Sequence, residues 1–385
     1  MGARPAVEAL YCHIPFCRTI CPFCAFAVHG DRERLREPYL EALRREIALR
    51  AVQYGGGGQS ISSLYVGGGT PSLLTLEQVR ELLGWLAAHF RFATAIEIAF
   101  EVNPEQAGPD YLKGLAAAGV TRVSLGLQSL DAGTLAALGR GNRAEEGLRA
   151  VEAMARHAGA NYNFDLMCGA PRCGEAPFRE DLARVAALRP PHLSLYGLDL
   201  EPGTLFARRP RTAGWLDSHR ERQGERLLWG WRFLEAQGYR HYEISNFCLP
   251  GKEGRQNLVV WEGGNYLGFG SGAHSHVDGE RWHNERHIRA YQRHLGEGAL
   301  PVAFRERLTP AQRANEALML ALRRQEGLAI PRWEQTCGFA WDRRRDAIAR
   351  RLAADGKALY RGQTLALTAP GLLVADSITA ELMVT

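Results

Sequence analysis

The chain has 385 residues, a net charge of +5, 46% hydrophobic and 23% charged residues, the balance of a soluble globular protein. A single core stops growing near roughly 250–300 residues, so one large α/β unit plus a smaller appendage is expected. No stretch approaches the roughly 18–20 unbroken apolar residues of a bilayer span, Met1 to Leu10 lacks the pattern of a secretory signal, and basic residues such as Arg343, Arg344 and Arg345 lack interleaved stacking aromatics; membrane spanning, export by that route and nucleic-acid binding are therefore not expected, and the cytoplasm is the simplest location.

A first predicted strand, residues 9–14, runs into Tyr11-Cys-His-Ile-Pro-Phe-Cys17-Arg-Thr-Ile-Cys21-Pro-Phe-Cys24-Ala-Phe26, which sets Cys17, Cys21 and Cys24 at Cx3Cx2C spacing. Of eight cysteines three crowd into this loop, whereas Cys168, Cys173, Cys248 and Cys337 are scattered, which points to a metal centre rather than a disulfide framework. Three thiolates on a loop can converge on three irons of a [4Fe–4S] cubane and leave the fourth iron open. The amino and carboxylate groups of S-adenosylmethionine can chelate that iron, so that an electron from the cluster breaks the sulfonium carbon–sulfur bond and yields a 5′-deoxyadenosyl radical. The alternatives open here are a zinc site that recruits Cys12, His13 or His29, and cysteines that are only buried.

Short β-rich runs then alternate with amphipathic helical stretches to about Leu200, the signature of βαβ units and a parallel sheet. A helix at 38–52 and a return loop from Gly55 to Gly58 lead to a strand at 62–67 that ends in Gly67-Gly68-Gly69-Thr70-Pro71. Glycines there permit close backbone approach to a ligand, although such a turn is by itself a weak signal. A helix at 76–90 precedes a strand at 95–102, which closes on Glu101 in Glu-Val-Asn-Pro; its alternative role is a surface carboxylate that caps a loop. After a helix at 109–118, a strand at 121–127 ends at Gln128, and helices at 132–138 and 144–157 flank Arg140, suited to an anion. A strand at 162–167 carries Asp165, a helix at 177–188 follows, and a strand at 192–198 carries Gly197. Gln128, Arg140 and Asp165 could each merely fix a loop. Polar or glycine groups at successive strand ends favour a partial barrel with one shared mouth over an open doubly wound sheet. Beyond Pro202 a long helix is expected near 216–237, then a glycine- and aromatic-rich region from Tyr239 to His283, then helices and a hairpin around Gly362 that resemble a winged helix.

Several motifs together resemble the HemW-type heme chaperones, relatives of oxygen-independent coproporphyrinogen III dehydrogenase in the radical SAM superfamily. They are the cysteine loop, Gly-Gly-Gly-Thr-Pro-Ser-Leu-Leu, Glu-Val-Asn-Pro, Arg122-Val-Ser-Leu-Gly-Leu-Gln-Ser129, Asn163-Phe-Asp-Leu-Met, Pro191-His-Leu-Ser-Leu-Tyr, Glu201-Pro-Gly-Thr-Leu-Phe206, Tyr242-Glu-Ile-Ser-Asn-Phe and Tyr266-Leu-Gly-Phe-Gly-Ser-Gly-Ala-His-Ser275. The resemblance covers nearly the whole chain. It implies an α/β partial (β/α)6 barrel over residues 1–203, an extension over 204–304 and a smaller winged-helix-like appendage over 305–385. It also implies that Tyr11, Gly68 and Glu101 contact cluster-bound S-adenosylmethionine, with His274 beside it. Phe23, Gly69, Thr70, Gln128, Arg140, Asp165 and Gly197 match positions that line a second S-adenosylmethionine site in the dehydrogenase relative.

The dehydrogenases have a further cysteine two residues after the third ligand and an N-terminal extension; this chain has Phe26 and lacks the extension, so coproporphyrinogen decarboxylation is not expected. Two features depart from the HemW-like pattern. Ala25 stands where Asp is usual, and the His-Asn-x-x-Tyr-Trp motif associated with heme becomes Gln256-Asn257-Leu-Val-Val260-Trp261. Glutamine is a poor heme ligand compared with imidazole, which leaves His241, His274, His276 and His283 as candidates. The expected function is heme binding and delivery, with heme, a reducing electron-transfer protein and a heme-accepting apoprotein as partners. Membrane-peripheral contact and a homodimer stay open. The competing expectation is a radical SAM methyltransferase or related enzyme acting on a tetrapyrrole or heteroaromatic substrate.

Overall fold

The structure, a computed structural model, describes residues 6–55 and 60–384; of the expected return loop only Gly55 falls within them. Successive side chains of a strand face opposite sides of its sheet, and the strands of the first half use the two sides differently. Leu64 and Val66, Ile98 and Phe100, Val123 and Leu125, Phe164 and Leu166, and Leu193 and Leu195 all enter the apolar core. The alternate positions are polar and bond to one another across strands: Arg122 lies 3.6 Å from Glu97, the Tyr65 hydroxyl donates to Glu101 at 2.7 Å, and the Asn163 amide donates to Ser124 and Ser194 at 2.7 and 3.0 Å. A sheet with one greasy and one polar face curls its polar face inward, because helices cover only the other.

The curled sheet is built from β1 (Ala9–Ile14), β2 (Ile61–Gly68), β3 (Phe92–Val102), β4 (Arg122–Gln128), β5 (Tyr162–Cys168) and β6 (His192–Gly197), all parallel to their neighbours. The intervening helices are α1 (Arg36–Tyr54), α2 (Leu76–His89), α3 (Pro109–Ala117), α4 (Ala132–Leu138), α5 (Ala144–His157) and α6 (Glu175–Ala187), followed by α7 (Pro210–Ala236). Thr75 and Gln78 form a capping box on α2, and the Asp131 carboxylate accepts from the Thr134 backbone N–H at 2.7 Å to start α4. Helix α7 begins six residues earlier than its apolar pattern suggests, at Pro210, a residue preorganised for the first helical position.

The region from Tyr239 onward extends this sheet at both edges. It supplies β7 (Arg240–Glu243), β8 (Asn246–Cys248), helix α8 (Arg255–Trp261), β9 (Tyr266–Phe269), β10 (His274–Val277), β11 (Glu280–Asn284), helix α9 (Ile288–Gly296) and β12 (Val302–Arg307). The twelve-stranded order is β12-β11-β10-β9-β1-β2-β3-β4-β5-β6-β8-β7. Its edge strands do not pair with each other, so the barrel stays open. Strand β9 joins β1 in parallel, whereas β10, β11, β12, β8 and β7 add antiparallel. The tight β9–β10 pairing explains one glycine of the aromatic-rich motif, because a Cβ on Gly268 would lie 2.1 Å from the His274 carbonyl oxygen. Buried Glu46 of α1 pins the same region: it accepts from Gly270 N at 2.8 Å, Asn284 Nδ2 at 2.6 Å and the Tyr291 hydroxyl at 2.6 Å.

The last part holds α10 (Pro310–Ala321), β13 (Leu328–Ala329), α11 (Ile330–Cys337), α12 (Arg343–Ala354), β14 (Ala358–Arg361), β15 (Thr364–Leu367), α13 (Ala369–Leu372) and α14 (Ala375–Leu382). The expected hairpin gains a third strand in the order β13-β15-β14, completing a small sheet against helices. Among the described residues no helix is long and apolar enough to cross a membrane.

Candidate cofactor site

The cysteine loop leaves β1 at the mouth of the barrel and is held from several sides. Phe16 and Cys17 pair with His29 and Gly30 as a two-residue parallel ribbon. The His13 ring contacts the Ala27 carbonyl at 2.9 Å, the Arg286 guanidinium donates to the Ala25 carbonyl at 3.0 Å, and the Phe206 N–H donates to the Pro22 carbonyl at 3.0 Å. A loop carrying three metal-ligand candidates is thereby fixed by backbone acceptors rather than by its own side chains.

Under the loop lies a cavity of about 480 Å³. Its lining brings together Cys17, Cys21, Cys24, Phe23, Gly68, Gly69, Thr70, Glu101, Gln128, Arg140, Asp165 and Gly197, from the ends of β2 to β6, the cysteine loop and the loop between α4 and α5. Tyr11 and His274 do not line it. The Tyr11 hydroxyl instead meets His13 Nδ1 at 2.9 Å and its ring stacks on Tyr65, which reaches Glu101. His274 sits on β10 with its ring 5.1 Å from that of His283.

The glycine run is dictated by crowding. Gly68 has φ +113°, and a Cβ there would lie 2.4 Å from the His13 ring; a Cβ on Gly69 would come within 2.8 Å of the Phe16 and Pro15 backbone. Backbone amides are thus brought to the cavity wall, and the Gly68 N–H donates to Glu101 at 3.0 Å. Burial pushes the Glu101 carboxyl up to about 7, against the hydrogen bonds from Tyr65 and Gly68 that favour its anion. Asp165 is also pushed upward by burial, offset by donors from Ser194, Asn163 and Ser124.

The donor set suits a cluster. Thr70 Oγ1 lies 3.6 Å from Cys17 Sγ, and Arg140 Nη1 lies 3.6 Å from Cys21 Sγ, so a hydroxyl and a fixed cation face the sulfurs. Burial pushes the Cys17 thiol up to about 11 and the Cys24 thiol upward as well; bound iron would supply the charge that favours their thiolates. Cys12 is fully buried in β1 and both His13 ring nitrogens are engaged, which removes two of the three residues considered for completing a zinc site. Among the described residues no three ligating side chains gather about a single point, and thiolates on three separate irons need not do so. Arg140 also donates to the Gly126 carbonyl at 2.8 Å, which orients its guanidinium along the wall.

Sequence reasoning missed four lining residues and the polar chain behind Asp165. Tyr65, Asn103, Tyr196 and Glu201 line the same cavity, and a buried chain runs from Asp165 through Asn163 at 2.8 Å to His192 at 2.7 Å and Tyr242 at 2.8 Å. The signal was the strand period: Asn163 precedes Asp165 by two positions and so shares its face.

The segment that replaces the heme-associated motif lies at the opposite end of the barrel. Helix α8 plugs the starts of the strands: Gln256 Oε1 accepts from Ser63 at 3.0 Å, the Arg255 N–H donates to Glu97 at 2.8 Å, and Asn257 reaches the Tyr242 hydroxyl at 3.3 Å. Of the four histidines considered as substitutes, His241 is buried with its ring stacked on Phe247 at 4.1 Å, and burial pushes its pKa down to about 4. His276 contacts the Gly264 carbonyl at 3.2 Å, and the His283 ring stacks on Phe304 at 5.7 Å.

An unclosed α/β barrel with a cysteine loop over a polar lumen defines a protein of the radical SAM class. The model of the radical SAM superfamily matches residues 11–184, and that of the HemN C-terminal domain matches 308–374. Heme chaperone HemW of Mycobacterium tuberculosis is 35% identical over 97% of this chain and 94% of its own length, and that of Synechocystis is 34% identical over 85% and 80%. The chain belongs to the HemW heme chaperone family. The solved structure of coproporphyrinogen III oxidase HemN from Escherichia coli superposes with a TM-score of 0.81 at 25% identity, covering 99% of this chain and 91% of the other.

Proposed function

We propose that this protein binds heme and delivers it to target apoproteins in the cytoplasm, with a [4Fe–4S] cluster on Cys17, Cys21 and Cys24 and S-adenosylmethionine beside it. The observation that carries the cofactor half is the convergence of the cysteine loop, the glycine run and Glu101 on one cavity of about 480 Å³. The cluster supplies an open iron and one electron. Gly68 and Gly69 offer close backbone approach, Glu101 accepts from the ligand's amino group or ribose, and Arg140 holds a carboxylate or the cluster's own negative charge. A ligand that prefers one state of the protein shifts its population, which is how S-adenosylmethionine would control heme release. The cargo half is supported by the family and by Phe26, 66% exposed where the dehydrogenases carry a cysteine. The domain limits proposed are 1–203, 204–304 and 305–385, with a reducing electron-transfer protein as partner.

Anaerobic reconstitution, iron and sulfide analysis, and electron paramagnetic resonance before and after S-adenosylmethionine test the cofactors. A heme titration followed by transfer to an apoprotein tests the cargo. A cubane whose spectrum ignores S-adenosylmethionine, or a reconstituted chain that binds no heme, overturns the proposal. A second function is favoured by Gln128, Arg140, Asp165 and Gly197 sharing the cavity with Phe23: an enzyme that uses two S-adenosylmethionine molecules on a tetrapyrrole or heteroaromatic substrate. It requires 5′-deoxyadenosine and a modified tetrapyrrole by mass spectrometry after reduction.

A further inference from the structure

A second and larger cavity, of about 1020 Å³, opens between α4, the loop after β5 and the start of α7. It is at the upper end of the common size of small-molecule pockets, roughly 300–1,000 Å³. Part of its wall is apolar: half-buried Ala137, Pro177 and Trp215 contribute, and the Trp215 indole is held by stacking on His219 at 4.0 Å. Phe206 and Trp215 belong to a small separate core with Leu138, Leu198 and Leu216.

Arg172, Arg208, Arg209 and Arg211 also line this cavity. Some arginines on the helices that line it are paired, as Arg184 with Glu180 on α6 at 3.0 Å and Arg220 with Asp217 on α7 itself at 3.4 Å. Among the described residues the four cavity arginines have no carboxylate partner. Asp131, the one acid in the lining, is occupied at the start of α4 by the Thr134 N–H and hydroxyl at 2.7 and 2.8 Å. Helix α7 begins here without a capping side chain, and its N-terminus adds positive potential. An occupant complementary to this site has a broad flat apolar body and at least two carboxylates, because unpaired guanidinium groups select planar anions.

We infer that this cavity seats a dicarboxylate porphyrin, with Trp215 and Pro177 against the macrocycle and Arg172, Arg208, Arg209 and Arg211 on its propionates. This rests on the heme-binding function proposed above and places the cargo away from α8, where Gln256 is already paired with Ser63. It also sets the cargo beside the cluster loop. Phe206 stands between the two cavities with its ring 6.4 Å from that of Phe23, and its N–H holds the Pro22 carbonyl.

Cys173 is a built-in reporter, since it lies in the cavity wall, while Cys337 lies in the C-terminal part and serves as reference. The test uses the reconstituted full-length protein under anaerobic conditions, titrated with heme and with metal-free protoporphyrin. Porphyrin is expected to slow alkylation of Cys173 at least fivefold and to leave Cys337 unchanged. The exposed double variant R208E/R209E is expected to weaken both porphyrins at least tenfold while the S-adenosylmethionine effect on the cluster spectrum persists. Wild-type protein that binds no heme overturns the chaperone function itself. Heme binding of undiminished affinity in R208E/R209E, or with Cys173 unprotected, overturns the placement alone.

Discussion

Glu101 shows how one side chain links fold to chemistry. Its carboxyl is placed at the end of β3 by the same strand alternation that buries Phe100, and burial pushes it up to about 7. The folded chain then holds a proton that the unfolded chain gives up near its ordinary value of 4.5. The resulting stabilisation of the folded state is present at low pH and is lost as pH rises towards 7. In the metal-free protein, Glu101→Gln should therefore gain stability relative to wild type between about pH 5 and pH 8, by about 1–3 kcal/mol; urea midpoints at the two pH values check this, and an equal difference at both refutes it. Gly68→Ala tests the neighbouring backbone. With φ +113° and a Cβ that would meet the His13 ring at 2.4 Å, it should cost about 1–3 kcal/mol in the same assay. A neutral substitution would mean that His13 moves freely, which its contact to Ala27 opposes.

At the scale of elements, legibility followed the range of the forces involved. The first six strands and the helices between them could be read from the sequence because alternation and 3.6-residue periodicity are local; the expected helices at 132–138 and 144–157 coincide with α4 and α5. Glu101, Gln128, Asp165 and Gly197 also stood out as strand-end groups against apolar runs, whereas Tyr65, Asn103, Tyr196 and Glu201 of the same cavity did not. The antiparallel flanks were not legible. Their strands are as short as Asn246–Cys248 and are fixed by distant partners, such as Glu46 of α1 holding Gly270, Asn284 and Tyr291. The four arginines of the second cavity were invisible for the same reason, because it takes tertiary structure to show that a charge has no partner. The cysteine loop depends on one such distant contact. Arg286→Ala removes the donor to the Ala25 carbonyl and should quicken loss of iron to a chelator several-fold, while overall stability changes by less than about 0.5–1 kcal/mol. Iron release followed by absorbance decides it; an unchanged rate would assign the loop's order to its other anchors.

For the whole molecule the question is whether the barrel and the C-terminal part behave as one. Their buried apolar residues form one continuous cluster, in which Leu10 and Phe100 of the barrel join Leu318, Trp333 and Leu365 of the appendage. Polar contacts cross the same boundary: Gln325 N–H donates to the Tyr242 carbonyl at 3.1 Å, Arg281 pairs with Glu316 at 2.7 Å, and Arg324 with Glu262 at 3.1 Å. Exposed pairs of this kind contribute little each, so the shared apolar core decides the coupling. Leu318 is fully buried in α10, and Leu318→Ala should cost about 2–5 kcal/mol through lost burial and the cavity left behind. If the core is shared, calorimetry of the metal-free chain should show one transition that moves down as a unit. A split into two transitions, with the barrel's midpoint unchanged, would mean that the appendage unfolds by itself, and its contacts to β7 and α8 would then be docking rather than core.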